Sequence, residues 1–151
     1  MIRALRSSDR EVLFALLEAF FEALRESAGD TFSDQAARIY TEIYSQGGDA
    51  FALAREVDGM IRSVLLGRIV ERPARRPARV LLLDAAYTEP EYRGRGIMEA
   101  LLDGARDWCR ERSVAAMELS TPLDGPAQNY WARHGFDGRF VSMSYDFERD
   151  A

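Results

Sequence analysis

Val80 to Thr88 constrains this chain more than any other stretch. Val80, Leu81, Leu82, Leu83, Ala85 and Ala86 fall in one run, interrupted only by Asp84. A strand apolar on both of its alternating faces belongs at the centre of a sheet with helices above and below. The run leads through a short polar turn into Arg93-Gly94-Arg95-Gly96, and then into Ile97, Leu101, Ala105 and Trp108 at helical spacing. Strand, glycine turn and helix in that order have a chemical consequence. Glycine has no Cβ, so the turn backbone can close on a ligand. The first N–H groups of the helix lack partners within it, and the helix dipole favours an anion there. Two arginines in the turn add fixed positive charge. These features together describe a cradle for a pyrophosphate.

At 151 residues and 47% hydrophobic content, the chain is long enough for one domain with a sizeable core, and residues 1–151 are read as a single domain. The apolar runs are too short to span a bilayer, so no membrane partner is expected. Met1 to Arg6 lacks the apolar centre of a signal peptide, and a cytoplasmic protein is the expectation. Cys109 is the single cysteine, which excludes an internal disulfide and a cysteine metal cluster. His134 is the single histidine, so a zinc site would rest on carboxylates, and no metal is expected. The net charge of −5 disfavours nucleic acid and suits a cationic partner such as an amine. The basic cluster from Arg72 to Arg79 reads as a solvated hairpin loop.

Local signals give the element order. Ile2 to Leu5 reads as a strand. Ser8 and Glu11 form a capping box ahead of a helix carrying Val12, Leu13, Leu16, Leu17, Phe20, Phe21 and Leu24, which fades near Gly29-Asp30. Ser33 or Asp34 caps a second helix with Ala37, Ile39, Tyr40 and Ile43, stopping at Gly47-Gly48. Phe51 to Val57 and Met60 to Val70 make a hairpin around Asp58-Gly59. After the central strand and the cradle helix come a strand from Val114 to Ser120, a short helix from Ala127 to His134, and a last strand from Phe140 to Phe147. A Rossmann site is rejected because Glu99 stands where its third glycine belongs, and a P-loop because no Gly-Lys-Ser/Thr follows the turn.

Tyr87 to Ile97 resembles the coenzyme A signature of the GNAT N-acetyltransferase superfamily, a strand and a Pro-Glu-Tyr-like turn followed by Arg/Gln-x-x-Gly-x-Gly/Ala at a helix start. Arg93 and Gly96 match, and Met98 replaces the usual small residue. Tyr130-Trp131-Ala132-Arg133-His134-Gly135-Phe136 is similar to a second segment of that family near its C-terminus. The resemblance implies an α/β (α+β) fold with a GNAT-like mixed central sheet of about six to seven strands, helices on both faces, and the order βααβββαβαβ. It implies an N-acetyltransferase that moves an acetyl group from acetyl-CoA to a primary amine of a small molecule, amino acid or protein by direct attack. The rival is an acyl-CoA sensor without catalysis, motivated by Trp131 and Met98. A homodimer is left open.

The same resemblance assigns residues. The pyrophosphate lies on the amides of Gly94, Arg95, Gly96, Ile97, Met98 and Glu99, with charge from Arg93 or Arg95. The pantetheine arm runs along Ala86, Tyr87 and Thr88, where the central strand splays from Val114–Ser120. Asp84, Glu89 and Glu118 are the carboxylates nearest the chemistry, and any of them is a candidate general base. The tyrosine that usually protonates the leaving thiolate falls on Trp131, whose indole donates a hydrogen bond but is no acid. Tyr130 is adjacent and is kept as a candidate acid, although one helix step turns it about 100° away and core packing is its alternative. The usual asparagine falls on Asp124. Of Phe14, Phe20, Phe21, Tyr40 and Tyr44 most read as core, but their helices wall the acceptor pocket in this family, which leaves one or two of them to line it. Cys109 reads as a buried thiol and His134 as a helix terminus.

Overall fold

The computed structural model describes residues 1–28, 32–123 and 125–150. The helix end expected near Gly29-Asp30 and the position of Asp124 lie outside the described residues. Two units are distinguished, Met1–Ser120 and Thr121–Ala151.

The first unit is built on a five-stranded sheet in the order β1-β2-β3-β4-β5. Its strands are β1 (Ile2–Ala4), β2 (Phe51–Val57), β3 (Met60–Glu71), β4 (Arg79–Thr88) and β5 (Ala116–Glu118). The first four pair antiparallel, and β5 joins β4 in parallel, so the sheet is mixed. Asp58 and Gly59 both take positive φ and make the tight β2–β3 turn that their sequence asks for.

Helices α1 (Arg10–Ala28) and α2 (Ala36–Tyr44) cover one face. Leu13, Leu17, Ala54, Val64 and Leu66 are completely buried in the core between them and the sheet. Each leucine sealed there contributes about 1.5–3 kcal/mol of transfer free energy. Helix α3 (Ile97–Glu111) packs against β2, β3 and β4. It takes the opposite face, where Trp108 meets the Phe51 ring edge-on at 5.2 Å. Phe51 and Ala54 point to opposite sides of β2, so one strand serves both cores.

The start of α1 differs from expectation. Ser8 lies inside a 3-10 turn, Ser7–Asp9, and the capping carboxylate is Asp9, which accepts the Arg6 N–H at 2.7 Å. Arg3 on β1 explains the shift. Its two terminal nitrogens grip both Asp9 oxygens at 2.8 and 2.9 Å and tie the helix start to the sheet edge. These bonds hold the Asp9 carboxyl below the usual carboxylate range. At α2 neither Ser33 nor Asp34 is the cap: the N-cap is Gln35, with no side-chain capping bond, and Ser33 Oγ accepts the Gln35 N–H at 3.1 Å ahead of the helix.

In the second unit, α4 (Pro126–Arg133) begins with proline in its first turn and ends as Gly135 N–H bonds Ala132 O at 3.2 Å. Phe140 to Phe147, expected as the last strand, is irregular, and a 3-10 turn follows over Phe147–Asp150. Val141, Met143 and Tyr145 are 66%, 90% and 67% exposed, so their alternation has no buried face to fix a register. The expected α/β layering holds, with five strands among the described residues in place of six to seven.

Candidate active site

The ladder between β4 and β5 stops early. Val80 faces Ala116, Leu81 faces Met117, Leu82 faces Glu118, and there the pairing ends. The expected strand from Val114 to Ser120 shortens accordingly to Ala116–Glu118. β4 continues to Thr88, still paired on its other side with β3 as far as Ser63. From Leu83 to Thr88 it therefore presents one strand edge that, among the described residues, no other strand takes up. Ala86, Tyr87 and Thr88, the residues expected along the pantetheine, lie on that stretch.

At the start of this open edge β4 bulges. Leu66 faces Ala85, but Gly67 faces Leu83, which leaves Asp84 as the extra residue. Gly67 makes the bulge feasible, because a Cβ there would sit 2.9 Å from the Leu82 carbonyl oxygen. The bulge aims Asp84 at α2, where it accepts a short hydrogen bond from the Tyr44 hydroxyl, and at Arg68, whose Nε donates at 3.1 Å. Only 7% of the Asp84 side chain is exposed. Burial, reinforced by the Asp84 carboxylate, pushes the Tyr44 hydroxyl far above the ordinary tyrosine range, so Tyr44 is a donor here and not an acid. Tyr40 moves in the same direction for the same reasons.

The far end of β4 enters the glycine turn. Glu89 N–H bonds Arg62 O at 2.9 Å, and Pro90–Tyr92 forms a 3-10 turn. Arg93 folds back so that Nε donates to the Thr88 carbonyl at 2.8 Å, with its guanidinium 5.4 Å from the Tyr87 ring centre. Arg93 thus braces the turn, and Thr88 has its carbonyl engaged already. Arg95 lies over Tyr92 at 5.1 Å. Gly96 takes φ +75° at the helix N-cap, a conformation that L side chains resist. The first bond of α3 runs from Ala100 N–H to Gly96 O at 3.2 Å, so the amides of Ile97, Met98 and Glu99 precede it. Met98 and Ile97 bury their side chains and leave only backbone at the turn. A Cβ on Gly94 would meet nothing within 4 Å, and one on Gly96 only Glu99 Oε2 at 4.0 Å. Open space over the first amides of α3, at the positive end of the helix, fits a phosphate group.

Each of the other candidate carboxylates has an arginine partner. Glu89 pairs with Arg62 at 3.1 Å and lines a cleft of about 400 Å³ between α1 and the end of β4. Glu118 on β5 is held by Arg72 from the β3–β4 loop. Tyr130 belongs to the second unit, where its ring lies 5.1 Å from Trp131 and 4.5 Å from His134. Trp131 in turn packs edge-on against Phe136 at 5.3 Å. Cys109 is buried, and burial raises its thiol above the usual range. Among the described residues, no cluster of His, Cys, Asp or Glu is placed to hold a metal ion, and no helix is long and apolar enough to cross a membrane. Sequence reasoning missed Arg68 altogether and left Tyr44 among five aromatics divided between core and acceptor pocket. A lone arginine inside the apolar run of β3 was the available signal for Arg68.

Residues 16–136 match the acetyltransferase (GNAT) family. The chain belongs to that family. As a GNAT protein it is an acyltransferase with acetyl-CoA as cosubstrate. No curated protein matches its sequence. Solved structures share its fold. A ribosomal-protein-alanine N-acetyltransferase from Brucella melitensis biovar Abortus 2308 is 23% identical with a TM-score of 0.74, over 97% of this chain and 99% of that one. A predicted acetyltransferase from Clostridium acetobutylicum, solved with acetyl-CoA, is 17% identical with a TM-score of 0.77, over 99% and 97%. AAC(6')-Iy in complex with a bisubstrate analogue is 17% identical with a TM-score of 0.75, over 97% and 96%. At such identities the likeness is one of fold.

Proposed function

We propose that this GNAT protein acetylates a primary amine and that Asp84 serves the acceptor side of the reaction. The observation that carries this reading is the early end of the β4–β5 ladder. It opens a backbone edge running from the Asp84 bulge to the glycine turn. The amides of Gly94 to Glu99, with Arg95 beside them, suit the diphosphate. The edge at Ala86 and Tyr87 suits the amide groups of the pantetheine arm, as one strand suits another. Acetyl-CoA supplies an acetyl group on a thiol leaving group. The chain's part is to align the amine with that group and to accept a proton.

Asp84 is placed for the second task. Both bonds it receives land on Oδ2, and among the described residues Oδ1 accepts none. Oδ1 takes the ammonium proton of the acceptor, directly or through one water, while Tyr44 and Arg68 fix the carboxylate plane. Glu89 and Glu118 are each committed to an arginine. Trp131 delivers no proton, and none is required of it, because a thiolate is a tolerable leaving group.

Thiol release from acetyl-CoA, followed with a panel of amines, amino acids and peptides, tests the reading. Asp84→Asn should lower kcat by about 10²–10⁴-fold and leave acetyl-CoA affinity near that of the parent. Undiminished kcat in the folded variant removes Asp84 from the mechanism. Tight acyl-CoA binding with no release to any acceptor favours the sensor.

A further inference from the structure

Asp84 and Arg68 form a pair that is closed on its inner side and open on its outer side. The inner bonds are those from Tyr44 and from Arg68 Nε to Asp84 Oδ2. Arg68 has five donors and spends one of them. Among the described residues its two terminal nitrogens meet no acceptor, and 52% of its side chain is exposed. Because Nε is pinned to a buried carboxylate, the guanidinium plane is fixed, and Nη1 and Nη2 project as a fork. A fork of parallel N–H donors is the geometry that a carboxylate matches with two bonds.

The placement of this fork gives it meaning. In the β3–β4 register Arg68 faces Leu82, the last β4 residue bonded to β5. Asp84 is the bulge residue two positions further on. A free anion receptor and a free carboxylate oxygen, Asp84 Oδ1, therefore lie side by side where β4 leaves β5. Two adjacent sites of opposite charge are complementary to a molecule bearing both charges on neighbouring atoms.

From this geometry we infer that the acceptor is an α-amino acid, with its carboxylate held by the Arg68 fork and its ammonium beside Asp84 Oδ1. An aminosugar or polyamine offers the guanidinium only like charge, so Arg68 selects against polycations as well as for carboxylates. The choice of an amine as second substrate rests on the acyl-transfer reading above. Arg68 acts here as a specificity residue that touches the acceptor, and Tyr44 as a positioning residue that acts through Asp84.

The test separates binding from turnover. The twenty L-amino acids and their α-amides are titrated into the protein saturated with coenzyme A, and the same pairs are assayed for thiol release with acetyl-CoA. At least one acid should bind about tenfold or more tightly than its amide, equivalent to about 1.4 kcal/mol. Arg68→Gln should collapse that acid-to-amide ratio towards one, and Arg68→Lys should retain part of it. The ratio cancels any effect of the substitution on Asp84 itself, which both members of a pair feel alike. Equal binding of acid and amide in the parent protein, no binding of any acid, or a ratio that survives Arg68→Gln overturns the inference. Carboxylate-dependent binding without thiol release supports the Arg68 site and refutes only its catalytic setting.

Discussion

Gly67→Ala probes the bulge that the whole site depends on. A Cβ at Gly67 would come 2.9 Å from the Leu82 carbonyl oxygen, 3.0 Å from Leu81 Cδ1 and 3.2 Å from Leu83 Cδ2. The nearest of these is backbone and cannot swing aside, so β3 and β4 must separate at the point where Asp84 is pushed out. Overpacking of this kind costs about 1–3 kcal/mol. For a chain of this length each kcal/mol lowers Tm by about 2–4 °C, so a fall of about 2–12 °C is expected. Gly104→Ala is the matched control. Its Cβ would lie 2.7 Å from Leu53 Cδ2, closer still, but that atom is the tip of a flexible side chain. Alanine also gains about 1 kcal/mol over glycine within a helix, so Gly104→Ala should stay within about 1 kcal/mol of the parent. Thermal or urea unfolding measures both, and thiol release at 25 °C, well below both transitions, reads the site. Gly67→Ala should lose kcat at that temperature while still folded. Parent-like Tm and kcat for Gly67→Ala, or a larger loss from Gly104→Ala, would refute the claim that backbone proximity at Gly67 shapes the bulge.

Arg95→Glu combined with Gly96→Val puts a like charge and a Cβ at the diphosphate position, and acetyl-CoA binding should vanish in calorimetry; unaltered affinity in the folded double variant counts against the cradle. Trp131→Tyr should keep or raise activity, and a collapse of turnover with folding intact would assign the indole a specific task. Asp9→Asn removes the charge that Arg3 grips and should cost about 2–3 kcal/mol in urea unfolding near neutral pH. Because the folded carboxyl titrates below its unfolded value, this contribution is present above about pH 4 and disappears as pH falls through the folded value. The parent should lose that share of its stability in acid, whereas Asp9→Asn should not.

Much of the fold was legible because its signals are local. The apolar run of β4, the Asp58-Gly59 turn and the helical spacing from Ile97 to Trp108 each declare themselves within a dozen residues. The glycine turn at the head of α3 was legible for the same reason: glycines, arginines and helix start are contiguous. What escaped depends on pairing between distant positions. The Asp84 bulge needs Gly67 to slip against Leu83 and Ala85. Arg68 and Tyr44 reach Asp84 only because β3 and α2 converge on it. The cap at α1 moved from Ser8 to Asp9 because Arg3, on another element, claimed the carboxylate. The alternation from Phe140 to Phe147 looked like a strand, but alternation specifies a strand only when something covers one of its faces.

A sheet that loses one neighbour half-way along its central strand carries a hazard as well as an opportunity. The backbone from Leu83 to Thr88 is a template on which an extended segment of a foreign chain can lay itself, as happens at any unguarded strand edge. On the proposed reading, a cosubstrate arm lying along that edge would do for β4 what a protective lysine or proline does for other edges. Metabolite supply would then govern solubility as well as turnover: starved of coenzyme A, concentrated protein should turn cloudy on gentle warming, and replenishment should keep it clear.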